Sequence, residues 1–303
     1  DSLEGGTTIE TAMNKLAEVL EMDPVELRLK NLVKPGDLQM DIRIGRMLYP
    51  LTSTGAAELL NKGADLIGWQ GRKKPGEWTV DATKKRGMGV ALIWGPSNVL
   101  PPATAKIALR RDGSCNVYVG TIDVGVGTET SYAQIAAEAL GIPFEQVKVI
   151  HGDTDQTTVD FGTFAARGIY CVGSAIVMAA GDVKSKLLGF AAPRLGAKPE
   201  ELDVKGGYIY VKASPEKKMP ISAVMSPGGD IVGWGNLLPL LAKGIAARTP
   251  QVNFLVAEVD TETGMVEIKK MVVGADAGVR INPLLCDSQM DKVSTGGIGL
   301  GLR

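Results

Sequence analysis

A chain of 303 residues and 31.9 kDa is long enough for roughly two domains and for a core that needs no staples. Hydrophobic residues make up 45% and charged residues 22%, which excludes wholesale disorder; 33 Lys and Arg against 34 Asp and Glu leave a formal charge of -1, which removes the electrostatic drive for nucleic-acid binding. The longest apolar stretch, around Val172 to Ala180, falls far short of the roughly 20 residues of a membrane span, and no signal segment opens the chain, so a cytoplasmic protein with neither nucleic-acid nor membrane partner is expected.

In chain order, residues 7–32 read as two helices. Thr7 to Glu10 has capping-box spacing ahead of apolar Met13, Leu16, Val19 and Leu20, and Asp23-Pro24 supplies a cap and a first-turn proline for the second helix. Residues 33–51 read as a surface loop, 53–66 as a helix, and the polar stretch 71–86 as a linker. Strands follow at 87–93, 105–109 and 115–120, the last two joined at Asp112-Gly113 as a hairpin. After Asp123-Val124-Gly125-Val126-Gly127-Thr128 come a helix at 129–140, a strand at 147–150 and a long apolar helix at about 170–190. A hairpin is expected around Gly206-Gly207, a short helix at 221–225, and a second long hairpin at 254–273 leading to Asp276-Ala277-Gly278. The shared order of hairpin, Val-Gly and Asp-x-Gly suggests an internal duplication, against which stands the chance likeness of two glycine-rich hairpins. Hairpins interleaved with helices favour an α+β fold of mixed, hairpin-rich sheets with packed helices over a doubly wound sheet.

Two scarcities narrow the chemistry. His151 is the single histidine, which excludes a multi-histidine metal site and reads most simply as an ordinary strand-end residue. Cys115, Cys171 and Cys286 are far apart, so the chain offers neither a zinc knuckle nor ligands for an iron-sulfur cluster, and Cys171 reads as a buried core thiol. Three segments carry chemical promise. The loop Gly125 to Thr128 runs from a strand into a helix and would present unpaired backbone N–H groups to an anion or a heterocycle, or else is a tight turn capped at Thr128. In Thr163-Phe164-Ala165-Ala166-Arg167 the small residues let backbone approach a ligand closely; Arg167 offers a fork for phosphate or carboxylate, or pairs with an acid such as Asp160. The third runs from Asp276 through Asn282-Pro283 to Gln289, whose amide can serve a heterocycle or a structural loop equally.

Together and in order these segments resemble the molybdenum-cofactor-binding subunit of the xanthine oxidase family. The likeness rests on Ile9-Glu10-x-x-Met13 with Leu16-Ala17, Met22-Asp23-Pro24-x-x-Leu27-Arg28-x-x-Asn31, Asp123-x-Gly125-x-Gly127-x-x-Thr130, and Gln134-Ile135-x-x-Glu138-x-Leu140-Gly141-Ile142-Pro143 with Asp153-Thr154. It continues in Gly162-Thr163-x-Ala165-x-Arg167 with Gly173-x-Ala175, and in Asp276-x-Gly278-x-x-Ile281-Asn282-Pro283 with Gln289 and Gly296-Gly297. The resemblance implies molybdopterin, as such or as its cytosine dinucleotide, whose own dithiolene sulfurs hold the molybdenum, so that no Cys or His ligand is needed. It implies cofactor contacts at Gly125, Val126, Gly127, Thr128 and Gln289, and at Thr163, Phe164, Ala165 and Ala166, with Ala165 backbone against the metal and Arg167 nearby toward the cofactor's phosphate. The implied lobes are a helical and loop segment at 1–86, a first cofactor-binding lobe at 87–250, and the incomplete start of a second, weakly duplicated lobe at 251–303.

The implied reaction inserts oxygen from water into an aldehyde or N-heterocycle, with iron-sulfur clusters and FAD on partner chains. Two departures matter. Val126 stands where the family usually has glutamine, and the segments carrying the rest of the pocket and the glutamate general base are missing, so no catalytic residue is identified. The expectation is one part of a molybdenum hydroxylase completed by the remaining molybdenum-domain half, an iron-sulfur subunit and, in some members, a flavin subunit, acting on a small-molecule substrate and inactive alone. The alternative is a non-catalytic structural or assembly subunit that keeps the fold.

Overall fold

A computed structural model describes residues 2–40, 48–74, 76–96, 102–164, 166–225, 229–237 and 248–302. Helices α1 (Ser2–Val19) and α2 (Pro24–Lys30) lead into a short antiparallel pair, β1 (Leu38–Met40) and β2 (Leu48–Pro50), where the sequence suggests only a loop. Next come α3 (Ala56–Ile67), β3 (Lys84–Pro96), β4 (Ala103–Leu109), β5 (Cys115–Val119), α4 (Thr128–Leu140) and β6 (Val147–His151). A π-turn at Gly168–Val172 opens α5 (Gly173–Leu195). Then follow β7 (Leu202–Lys205), β8 (Tyr208–Val211), β9 (Ser214–Pro220), α6 (Ile221–Val224), β10 (Ile231–Leu237), β11 (Arg248–Asp260), β12 (Val266–Ala275) and α7 (Pro283–Gly301).

Local chemistry sets many boundaries. Asp23 Oδ1 accepts the N–H groups of Val25 (2.8 Å) and Glu26 (3.2 Å), with Pro24 in the first turn of α2. Asn282 and Pro283 open α7 in the same way. Gly68 and Gly141 close α3 and α4 in the left-handed conformation, and Gly141 packs so tightly on the Val204 carbonyl that a Cβ would stand 2.2 Å from it. One expectation is corrected: Thr7 to Glu10 is no capping box, because α1 already begins at Ser2 and Glu10 turns its carboxylate inward.

The chain divides into two units, 1–96 with 244–303, and 97–243. Strand β3, which the sequence placed in a lobe at 87–250, pairs along its length with β11, so it belongs with the C-terminal hairpin. In the first unit the sheet runs β12-β11-β3, antiparallel throughout. α3 covers it with Leu60 and Ile67, and Gly63 leaves room for the Phe254 ring. On α1 Ala17 is buried but Leu16 and Val19 are exposed, while Glu10 turns inward, reaching Arg28 at 2.9 and 2.7 Å and the Leu92 N–H at 2.7 Å.

In the second unit the order is β10-β4-β5-β6, with β5 and β6 parallel and joined through α4 as a crossover requires. Helices α4 and α5 bury Tyr132, Ala136, Leu140, Ala175, Ile176 and Val183 against Ile107, Val117 and Val119. Gly233 and Gly235 on β10 let α5 come down onto the strand; a Cβ at Gly235 would lie 1.8 Å from the Ala175 carbonyl oxygen. A separate sheet, β7-β8-β9, begins with the expected hairpin, Gly206 and Gly207 both having positive φ.

The suspected duplication has a structural counterpart. Hairpin β4–β5 ends in Asp123-Val124-Gly125 and hairpin β11–β12 in Asp276-Ala277-Gly278; in each the aspartate Oδ1 accepts the N–H two residues on, at 2.7 and 3.0 Å. Each hairpin also carries a third antiparallel strand on its first strand, β10 on β4 and β3 on β11. In chain order β3 precedes β4 and β10 precedes β11, so the third strand on each hairpin is the one that precedes the other hairpin.

Candidate functional site

Strands β5 and β6 run side by side, and the segments leaving their C-terminal ends hold two of the three candidate regions. The first is folded around Asp123. Its Oδ1 accepts N–H groups from Gly125 (2.7 Å), Val126 (2.9 Å) and Gly127 (3.2 Å), and its Oδ2 that of Glu129 (3.4 Å). Positive φ at Gly125 (91°) and Gly127 (71°) makes this wrap possible. The expected cradle of free amides is therefore corrected: a carboxylate from the loop itself occupies it. Burial pushes the Asp123 pKa up, but the four N–H bonds outweigh it and the group sits below its ordinary value. Asp123 is the residue that motif reading passed over as a site residue, although an Asp two residues before a Gly at a strand end is the signature of this turn.

The second region is braced by a buried ion pair. Arg167, with no exposed side-chain surface, donates from Nη1 to Asp160 Oδ1 (2.6 Å) and the Gly162 carbonyl (2.8 Å), and from Nη2 to the Pro102 carbonyl (3.0 Å) and Asp160 Oδ2 (3.3 Å). Of the two roles open to Arg167, pairing with Asp160 is the one observed. Its guanidinium faces inward, so the expected reach toward a phosphate is not part of the geometry. Ala166 stands at φ 56°, in the left-handed region where a side chain costs energy, and the π-turn follows directly. Ala165 lies outside the described residues.

These two regions touch. Thr163 Oγ1 donates to the Ile122 carbonyl at 2.7 Å, and Gly120 packs so closely that a Cβ would stand 2.6 Å from Asp160 Cβ. Gly168, in the π-turn, lies against Thr128 and the Tyr132 hydroxyl. Tyr132 in turn shares a 3.2 Å hydrogen bond with Thr121, and burial pushes its pKa up to about 12. Thr128 is buried and cements this junction, whereas Gly125, Phe164 and Ala166 are exposed and Val126, Gly127 and Thr163 half-buried. Gln289, half-buried on α7, belongs to the other unit. His151 Nε2 stands 3.6 Å from Glu129.

Among the described residues no group of three or more His, Cys, Asp or Glu is placed to hold a metal ion. At the junction Arg167 is turned inward, while Gly125 and Ala166 are exposed together with the larger Ile122, Val124 and Phe164.

The chain matches the model of the molybdopterin cofactor-binding domain over residues 62–303. It belongs to that family. The molybdopterin-binding chain is 30% identical to a putative xanthine dehydrogenase molybdenum-binding subunit of Escherichia coli (strain K12), a match covering 97% of this chain and 39% of the relative. It is also 30% identical to a probable hypoxanthine oxidase of the same organism, over 98% of this chain and 31% of that protein. Among solved structures, the reconstituted CO dehydrogenase from Oligotropha carboxidovorans superposes with a TM-score of 0.79 at 25% identity, over 95% of this chain and 38% of that one. The chain thus spans about two fifths or less of the length of these relatives. The α+β architecture of mixed sheets and packed helices is that of the CO dehydrogenase structure.

The junction fits the group this family binds. A cofactor that brings its own ligands to the metal needs from the protein a close, shaped surface without competing metal ligands. Gly125 has open space where a Cβ would stand, and Phe164 and Ala166, on the loop tied to it through Thr163 and Ile122, are exposed residues.

Proposed function

We propose that this chain forms one wall of the molybdenum-cofactor pocket of a multi-subunit molybdenum hydroxylase that oxidises an aldehyde or N-heterocycle with oxygen from water. The observation that carries the reading is the junction of the two loops, tied by Thr163 to Ile122 and by Gly120 to Asp160. Its exposed Gly125, Phe164 and Ala166 are among the positions at which the sequence resemblance implies cofactor contact.

In this reading Asp123 shapes the 125–129 turn from within, and Val126 meets the cofactor as an apolar side chain where an amide would have given a hydrogen bond. Phe164 and Ala166 offer main chain to the cofactor from the second loop. The bound cofactor supplies two-electron redox chemistry at its metal. The proton acceptor, the iron-sulfur clusters, the FAD and the rest of the pocket come from segments and subunits other than those described here. Three cysteines far apart in the sequence, with no CxxC pair, suit a reducing, cytoplasmic setting.

A second reading, an assembly subunit that keeps the fold without the cofactor, is favoured by one observation. The loop amides that could have served a ligand are held by Asp123, and Val126 adds no polar contact. The deciding measurement is molybdenum per chain, by elemental mass spectrometry, in the complex purified from its natural source. About one atom per chain is expected. A complex with all its subunits and no molybdenum sinks the first reading in favour of the second.

A further inference from the structure

We propose that Asp160 is a positioning residue for the turn at 162–167, acting through Arg167. The inference rests on the cofactor-pocket reading for what that turn faces, and on geometry for how it is held. Asp160 and Arg167 have side-chain exposures of 2% and 0%, and two guanidinium nitrogens face two carboxylate oxygens at 2.6 and 3.3 Å. Between them they grip both sides of Gly162. Asp160 Oδ1 accepts its N–H at 2.8 Å, and Arg167 Nη1 donates to its carbonyl at 2.8 Å. Gly162 has φ 104°, so this grip sets a backbone conformation that only glycine adopts without strain.

The clamp is anchored at both ends. Arg167 Nη2 reaches the Pro102 carbonyl at the entry to β4, and Asp160 is wedged against Gly120 at the exit from β5. The apex between these anchors carries Thr163, Phe164 and Ala166; Ala166 is left-handed, and the Arg167 N–H closes the turn on the Phe164 carbonyl at 3.1 Å. The apex also holds the other loop, through Thr163 and Ile122. Each charge is buried against the other, so neutralising one alone strands its partner. Asp160 never reaches the exposed surface, yet it decides where that surface lies.

The test uses the complete complex with Asp160→Asn and with the double variant Asp160→Asn/Arg167→Gln, which leaves no unpaired buried charge and guards against simple unfolding. Four readouts are needed: hydrogen–deuterium exchange of amides 162–167, molybdenum per chain, the molybdenum EPR signature, and kcat and KM separately. For the double variant we expect exchange at 162–167 to rise at least tenfold while α4 and α5 hold their protection. With it should come an altered EPR signature or molybdenum content at most half of wild type, and a fall in kcat with KM within twofold. A wild type that carries molybdenum beside variants with unchanged content and signature overturns this proposal alone, and a lowered melting temperature would then mark the pair as merely structural. A wild-type complex without molybdenum overturns the pocket reading first, and the proposal with it.

Discussion

Asp123 makes a prediction whose sign and size follow from its hydrogen bonds. Replacing it by Asn keeps the shape and removes the charge; replacing it by Ala removes the acceptor altogether. Three of the four N–H groups converge on Oδ1 between 2.7 and 3.2 Å, and the fourth reaches Oδ2 at 3.4 Å. A hydrogen bond to a charged group contributes about 1.5–3 kcal/mol, but one oxygen shared by three donors does not multiply that figure, and the exposed Gly125 amide regains water when released. The net cost to the turn is therefore about 2 kcal/mol for Asp123→Ala and about 1 kcal/mol for Asp123→Asn, within the range for lost charged hydrogen bonds. In amide exchange at 125–129 that is roughly 30-fold and 5-fold faster opening. The pH dependence is the sharper test. A carboxyl whose pKa is lower in the folded than in the unfolded chain contributes stability above the unfolded value of about 3.9, and loses it as pH falls through the folded value. The gap between wild type and Asp123→Asn should thus be full at pH 7, begin to close near pH 4, and vanish once Asp123 is protonated in the fold. A gap of constant size down to that point would refute the argument that the charge, and not the shape, closes the turn.

Three further outcomes are expected. Gly235→Ala places a Cβ 1.8 Å from the Ala175 carbonyl oxygen, so α5 must lift off β10; a loss near the top of the usual overpacking range, about 3 kcal/mol, is expected in thermal melting. Gly89→Ala, which meets nothing within 4 Å, is the control, and equal melting of the two variants would contradict the packing account. Glu10→Ala strands the buried Arg28 and should cost about 3–5 kcal/mol, whereas Glu10→Ala/Arg28→Met should recover much of it. A double-mutant cycle with coupling below about 0.5 kcal/mol would count against that network. Finally, burial pushes the Cys115 thiol up to about 12 and raises Cys171, and both are fully covered. Iodoacetamide at pH 8 should label Cys286 alone in the native protein, and modification of Cys115 without unfolding would show that its strand is not the buried element described.

What could be read from the sequence was what nearest neighbours decide. Asp23-Pro24, Asp112-Gly113 and Gly206-Gly207 fix a cap and two hairpins by local stereochemistry, and all three are present. Periodicity marked α1 but misled about its faces, because apolar spacing does not reveal that Glu10 has a partner 18 residues away. The segment that forms β10 (Ile231–Leu237) has no clear strand pattern in the sequence, since Gly233 and Gly235 take positions where packed side chains are the usual clue; their reason is the close approach of α5. Within the candidate site the residue types were legible and the wiring was not. Arg167 could be assigned to either an acid or a phosphate until Asp160, folded back across seven residues, was seen to hold it. Asp123 was visible as part of a motif, yet the motif suggested free amides where the carboxylate had already taken them.

The crossed pairing of the third strands explains why a boundary drawn along the sequence misplaces the site's support. Asp123 leaves β5, whose hairpin partner β4 is flanked by β10; Asp276 leaves β12, whose hairpin partner β11 is flanked by β3. Each Asp-x-Gly turn therefore leaves a hairpin whose flanking strand precedes the other hairpin in the chain. Third strands paired on the hairpins they precede would have given two lobes separable by one cut; this pairing ties each hairpin to residues more than 100 positions away along the chain, Trp234 opposite Lys106 and Ala91 opposite Asn253. Sequence likeness between the repeats is concentrated in the turns because there the backbone demands particular residues, Asp to accept and Gly to take positive φ. The crossed strands need only alternate apolar and polar, or carry glycine where a helix comes close. Both turns lead directly toward a helix, the first into α4 and the second into α7.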